Sequence, residues 1–169
     1  GVLPTIAEQE AFFFYFSPDR RQRLIDNLLN RHEYAEFWAL KWADLLRLQK
    51  AEVSEAGVYK FHNWLVDAVA TNKPLDQFAR ELLTAQGSTY DYPAANYYRA
   101  CGEPIKAAET TAQLFLGSRI QCAKCHNHPF ENWTQDNFYG LTAFFNRVDR
   151  KPGPRLEEEI VYVARGGEV

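Results

Sequence analysis

The residues best suited to do chemistry are Gln121-Cys122-Ala123-Lys124-Cys125-His126. They contain C-x-x-C-H, the attachment sequence of a c-type haem. Two thiols three residues apart fall on one side of a helical turn. From there both can add to the two vinyl groups of one porphyrin, forming two thioethers. The next residue, His126, then supplies the proximal imidazole, and the second axial ligand sets potential and reactivity. The spacing therefore predicts one covalent haem c, anchored by Cys122 and Cys125, with His126 as the iron ligand.

The second axial ligand is open. The chain has no methionine, which excludes a His/Met pair. The remaining histidines are His32, His62 and His128. His128 lies two residues from His126 and reads as a turn residue supporting it. His62 stands beside Phe61 and Trp64 in a helical stretch and is the distal candidate. Its other reading is an ordinary half-buried helix residue. His32 sits at a polar helix junction and reads as solvated. Cys101, a tyrosine, a lysine or an empty position complete the options. Two imidazoles would give a low-potential centre. An open iron would be high-spin and suited to peroxidase-like chemistry or ligand binding.

The same residues support a competing zinc reading. Cys122, Cys125, His126 and His128 offer sulfur and nitrogen donors, but structural zinc usually draws four ligands from separated pairs. Cys101 or His62 would have to complete the set, and the chain would be an interaction module whose folding depends on metal. A thioredoxin-like redox role fits less well, because no βαβ pattern surrounds the C-x-x-C.

The elements that must position this motif are mostly helical. Ser17 followed by Pro18 reads as a cap opening a helix to about Asn30. Ala35, Trp38, Trp42, Leu45 and Leu46 recur at helical spacing between Glu33 and about Gln49. Ser54 caps a third helix, striped by Val58, Phe61, Leu65 and Val69 and broken at Asn72-Lys73-Pro74. A fourth carries Leu75, Phe78, Leu82 and Leu83, with Gly87 as its terminating residue. Ser88 to Pro93 read as loop and Ala94 to Arg99 as a short helix. Glu103-Pro104 opens the long helix that leads into the cysteines. Pro129 marks a turn, and Thr134 caps a last helix reaching about Val148. Beyond the breaker Lys151-Pro152-Gly153-Pro154, the β-branched run Ile160-Val161-Tyr162-Val163 reads as a strand, and Gly166-Gly167 as a turn. A lone strand is not stable. It therefore needs a continuation of the chain or a partner molecule to pair with.

Composition sets the outer limits. A chain of 169 residues suits one compact domain. The 19 basic and 22 acidic side chains give a net charge of −3, with no basic footprint for nucleic acid. No apolar run is long enough to span a bilayer; Ala11–Phe16 is apolar but ends at once in Ser17-Pro18-Asp19-Arg20-Arg21. Arg20-Arg21-Gln22-Arg23 reads as a solvated face. Three cysteines, two of them in one motif, are not a disulfide framework. The high aromatic content suits either a core of large rings or one shaped around a flat cofactor. A start at Gly1 without methionine fits a processed chain whose signal peptide has been removed, or a fragment of a larger secreted or membrane-associated assembly.

Several blocks together resemble a known family. They are Arg23–Leu29, Tyr34–Arg47, Thr110–Gly117, Gln121–Phe130, Trp133–Asp136 and Tyr139–Phe145. In this order they are similar to the planctomycete-type cytochrome c domain, second type. The resemblance implies a secreted bacterial protein, periplasmic or extracellular, in which haem is attached outside the cytoplasm.

The resulting expectation is a mainly α fold, a multi-helix domain with a small C-terminal β element. Residues 1–150 form the helical c-type haem domain, and 151–169 a linker and short strand. The function expected is electron transfer, as a carrier more than a stand-alone enzyme. Its partner is a redox protein or a larger complex.

Overall fold

The structure is a computed structural model and describes residues 2–166. It is mainly helical, with a small antiparallel sheet, as the patterning predicts. Two N-terminal helices, α1 (Ile6–Phe14) and α2 (Arg20–Leu29), form a hairpin in which no helical residue is buried. The body follows: α3 (His32–Leu45), α4 (Lys50–Val53), α5 (Glu55–Ala70), α6 (Leu75–Leu83), α7 (Asn96–Cys101), α8 (Pro104–Phe115) and α9 (Gln135–Ala143). The sheet comprises β1 (Gly87–Ser88), β2 (Val148–Pro152) and β3 (Glu159–Val163), with β3 in the middle.

Local chemistry sets most boundaries. The Ser54 hydroxyl accepts the Gly57 N–H (3.2 Å) and caps α5. Asn72, at φ 48°, ends that helix in a Schellman turn: its own N–H reaches Val69 O and Lys73 N–H reaches Ala68 O. The same turn ends α3 four residues earlier than the periodicity suggests. There Arg47, at φ 56°, holds the left-handed position, while Leu48 N–H reaches Ala43 O. Gly57 is needed for close approach, because a Cβ there would lie 2.9 Å from Val53 and 3.0 Å from Asn96 Oδ1.

Five expectations need correction. Ser17 does not cap α2: its hydroxyl bonds Asp19, its carbonyl accepts Arg20 N–H, and Asp19 is the residue at the cap position. Gly87 does not close α6, which stops at Thr84; its φ of 96° serves the entry to β1. The last helix stops at Ala143, and Val148 starts β2. The strand at Ile160–Val163 is not alone and needs no partner molecule. β3 pairs antiparallel with β2 (Arg150 opposite Val161) and with β1 (Ser88 opposite Ile160). The division at residue 150 also falls inside β2, and Val161 is buried in the main core, so the tail belongs to the same body. The turn expected at Gly166-Gly167 lies partly outside the described residues.

Two apolar clusters hold the body. The larger joins α3, α5, α6, α7 and α8 through Ala39, Phe61, Leu65, Leu82, Tyr97 and Ala108. The smaller is Ala112, Ile120, Ala123 and Phe138, with Ile105, Trp133 and Leu141 around it. It is the smaller one that carries the cysteine motif.

Candidate functional site

The motif is reached from α8. Leu116 closes that helix and Gly117, at φ 69°, turns the chain out of it; Ser118 N–H returns to Ala112 O (3.1 Å). Ile120 then dips into the smaller cluster, and a 3₁₀ turn runs over Gln121–Lys124. Ala123 N–H bonds Ile120 O (2.9 Å). Cys122 O accepts the N–H of Cys125 (3.3 Å) and of His126 (3.4 Å). These bonds wind the segment into one turn, so Cys125 and His126 follow Cys122 at the spacing that shares a helical face.

Burial separates the residues of the motif. Ala123 is 0% exposed and packs with Ile120 and Phe138. Cys122, Lys124, Cys125 and His126 are exposed, and both thiols are free. The methyl group of Ala123 pins the turn, while the nucleophilic atoms face outward. Helix α9 grips the motif from the other side. Thr134 caps it reciprocally with Asn137. In its first turns, Gln135 Nε2 and Tyr139 OH both donate to Lys124 O (3.1 and 3.3 Å). Gln135 N–H also donates to Asn127 Oδ1 (3.2 Å).

The two histidines of the motif are held differently. His126 Nδ1 lies 2.7 Å from the Asn127 carbonyl oxygen. A carbonyl only accepts, so Nδ1 carries the proton and Nε2 keeps its lone pair. His128 Nδ1 instead accepts the backbone N–H groups of Phe130 (3.2 Å) and Glu131 (3.0 Å), and the backbone N–H of His128 donates to Trp133 O (2.8 Å). Its ring organises the turn around Pro129.

The structure therefore sets Cys122, Cys125 and His126 along one exposed turn, with His128 in the turn that follows, and the other candidates lie elsewhere. His62 is on α5, a helix packed mainly on α3; its Nε2 is buried and has no hydrogen-bond partner. His32 is exposed enough to bridge Glu36 (3.1 Å). Cys101 is buried in the larger cluster, and burial pushes its thiol up to about 11, so it stays protonated at neutral pH. Among the described residues, no three His, Cys, Asp or Glu side chains converge as a metal-holding group. Neither Cys101 nor His62 joins the motif in such a group.

Sequence reading missed Ala123, Asn127, Gln135 and Tyr139 as supports of the motif. The signal was present: a small residue between the cysteines, and a Thr-capped helix starting within reach of the motif's carbonyls. Residues 1–150 match the family described as PSCyt2, protein of unknown function (DUF1549). The chain belongs to this family. The match covers the blocks that carry the resemblance, from Arg23 to Phe145, and its name is that of a planctomycete-type cytochrome domain. No curated protein and no solved structure matches the chain. The PSCyt2 domain here is thus a helical body presenting a C-x-x-C-H turn on its second, smaller core. No described helix is long and apolar enough to cross a membrane.

Proposed function

We propose that this PSCyt2 domain carries one covalent haem c and transfers electrons through it. One observation carries the reading: both thiols of the motif are free and exposed on a single turn, followed by an imidazole whose Nδ1 is committed to a backbone carbonyl. Thioether attachment needs two neighbouring thiols and one available ring nitrogen. It does not need a convergent cage of donors. Cys122 and Cys125 would hold the group, and His126 Nε2 would be its proximal ligand. Such a group, when bound, supplies reversible one-electron chemistry at iron.

The protein's own contribution is positional. Ala123 and Ile120 fix the turn in the smaller core. Gln135 and Tyr139 hold the Lys124 carbonyl, which limits rotation of the segment bearing Cys125 and His126. The Asn127 carbonyl fixes the His126 tautomer and strengthens it as a donor, as outer partners of ligating histidines do. His62 on α5 would be the candidate second residue to hold the iron, and Cys101, buried and protonated, would not.

Zinc is the weaker reading. Four-ligand closure would require donors that the described residues do not gather. Haem attachment outside the cytoplasm would put the protein in a periplasmic or extracellular setting, with a redox protein or larger complex as its proposed partner.

The test is an optical spectrum of the native protein, oxidised and dithionite-reduced, with a haem stain after denaturation. Stain that persists in denaturant and a sharp reduced α-band are expected. A broad, high-spin spectrum would replace electron transfer with ligand or peroxide chemistry. A colourless native protein would overturn the haem reading.

A further inference from the structure

Two aromatic side chains beside the motif are left largely in water: Tyr139 is 47% exposed and Phe130 is 92% exposed. A single exposed apolar side chain is ordinary on a protein surface. These two are instead fixed next to the residues that would hold the haem. The Tyr139 hydroxyl donates to Lys124 O (3.3 Å), the same oxygen that Gln135 Nε2 reaches (3.1 Å). Gln135 and Tyr139 are four residues apart on α9, so they share one helix face. Through these bonds that face meets the segment between the two cysteines. The neighbouring Phe138 turns the other way, into the smaller core. With its hydroxyl committed to a backbone carbonyl, Tyr139 offers its ring beside the thiols. Phe130 is fixed by a closed loop. Asn127 Oδ1 accepts Gln135 N–H (3.2 Å), and the backbone N–H of His128 donates to Trp133 O, so the loop from His126 to α9 is tied at its base. At its tip the His128 ring accepts the Phe130 and Glu131 N–H groups and stands 6.4 Å from the Phe130 ring, edge to face.

We propose, resting on the haem reading above, that Tyr139 and Phe130 form an aromatic seat against which a porphyrin held by Cys122 and Cys125 packs. Two thioethers on an exposed turn would fix where the group is attached, but they would not shield its flat apolar faces from water. Apolar area removed from water stabilises such a contact, and aromatic rings supply much area with few rotatable bonds. The two segments that follow the motif, the His128 loop and α9, each bring one ring to it. Such a seat would also tune the iron, because the apolar shell of a metal site controls its solvent access and its potential. A ferric centre carries one more positive charge than a ferrous one. Water therefore favours the ferric state, and apolar cover raises the potential.

The experiment is a redox titration of the haem-loaded full chain, with intact mass reporting one haem on each protein. Tyr139→Ser and Phe130→Ser should each shift the midpoint potential downward, and the double variant should shift it further. Tyr139→Phe keeps the ring and gives up the hydroxyl, so its shift should be smaller than that of Tyr139→Ser. Phe130 makes its hydrogen bonds through the backbone alone, so Phe130→Ser reads the seat even where Tyr139→Ser disturbs attachment. Phe14→Ser removes an equally bare ring, 74% exposed, from α1, and should leave the potential where it was. All three side chains are exposed, so far-UV circular dichroism should show the variants folded. Serine variants at positions 130 and 139 that carry haem at the wild-type potential would overturn the seat and leave the haem reading standing. So would a Tyr139→Phe shift as large as that of Tyr139→Ser. A wild-type chain whose mass shows no haem would overturn both.

Discussion

The two apolar clusters of the body do opposite things with their cysteines. The larger one, built on Phe61, Leu65, Leu82 and Tyr97, swallows Cys101. Tyr97 OH, held by Ala107 O (3.2 Å) and Thr111 Oγ1 (2.8 Å), helps lock α7 to α8 beside it. The smaller cluster buries only Ala123 of the motif and leaves Cys122 and Cys125 outside. One core conceals its thiol as packing material, and the other is a pedestal for two. Thiol chemistry in this chain is thus decided by which residue of a turn points inward, and at the motif that residue is an alanine.

The sharpest way to break this contrast is thiol labelling of chain produced without attached haem. Cys122 and Cys125 should react with a maleimide at once in the native protein. Cys101 should react only on unfolding, because burial holds it protonated to about pH 11. Rapid native labelling of all three would show that the larger core does not shield its cysteine.

Stability should divide along the same line. Phe61 is fully buried, and Phe61→Ala should cost about 3–5 kcal/mol in denaturant unfolding. Cys122→Ala, on the surface, should stay within about 0.5 kcal/mol in haem-free protein. A large loss from Cys122→Ala would mean that the thiol has a structural role. Ala123→Leu lies between them. Overpacking the pedestal should cost about 1–3 kcal/mol and lower the yield of haem attachment, since the turn carrying both thiols must shift. Unchanged attachment would show that the turn tolerates displacement.

The smallest effect concerns the sheet that ties the tail to the body. Glu158 is buried and bonded by Arg155 and Ser88, and the Arg155 guanidinium, first, holds its carboxyl down to about 2. A carboxylate lowered on folding adds stability that is complete above its ordinary value near 4.5 and is lost as the pH falls towards 2. The thermal midpoint of the wild type should therefore fall more steeply across that window than that of Glu158→Gln. Parallel curves would remove Glu158 from the acid response.

What the sequence made legible follows the same physics. Asn72 announced the end of α5 because asparagine tolerates the left-handed conformation, while Arg47 does the same at α3 with no such signature. Thr134 and Ser54 declared their caps through side-chain oxygens that reach backbone N–H groups. β2 stayed hidden, because Val148-Asp149-Arg150-Lys151-Pro152 is charged and exposed, and its pairing with β3 is a tertiary event. For the same reason the pattern at Ile160–Val163 gives no sign of its partners within the chain. At the motif, the spacing revealed which residues share a turn. It could not reveal that Gln135 and Tyr139, 11 and 15 residues on from Lys124, would hold its carbonyl.

The central claim is that Cys122 and Cys125 hold one haem. Intact-mass spectrometry of the protein matured in a host with a c-type attachment pathway tests it most directly. The expected result is a single species heavier than the chain by one haem, with Cys101 as its one remaining thiol, and a Cys122→Ala/Cys125→Ala variant at the mass of the bare chain. A wild-type chain at its bare mass with three titratable thiols, under conditions in which a control cytochrome matures, would contradict it.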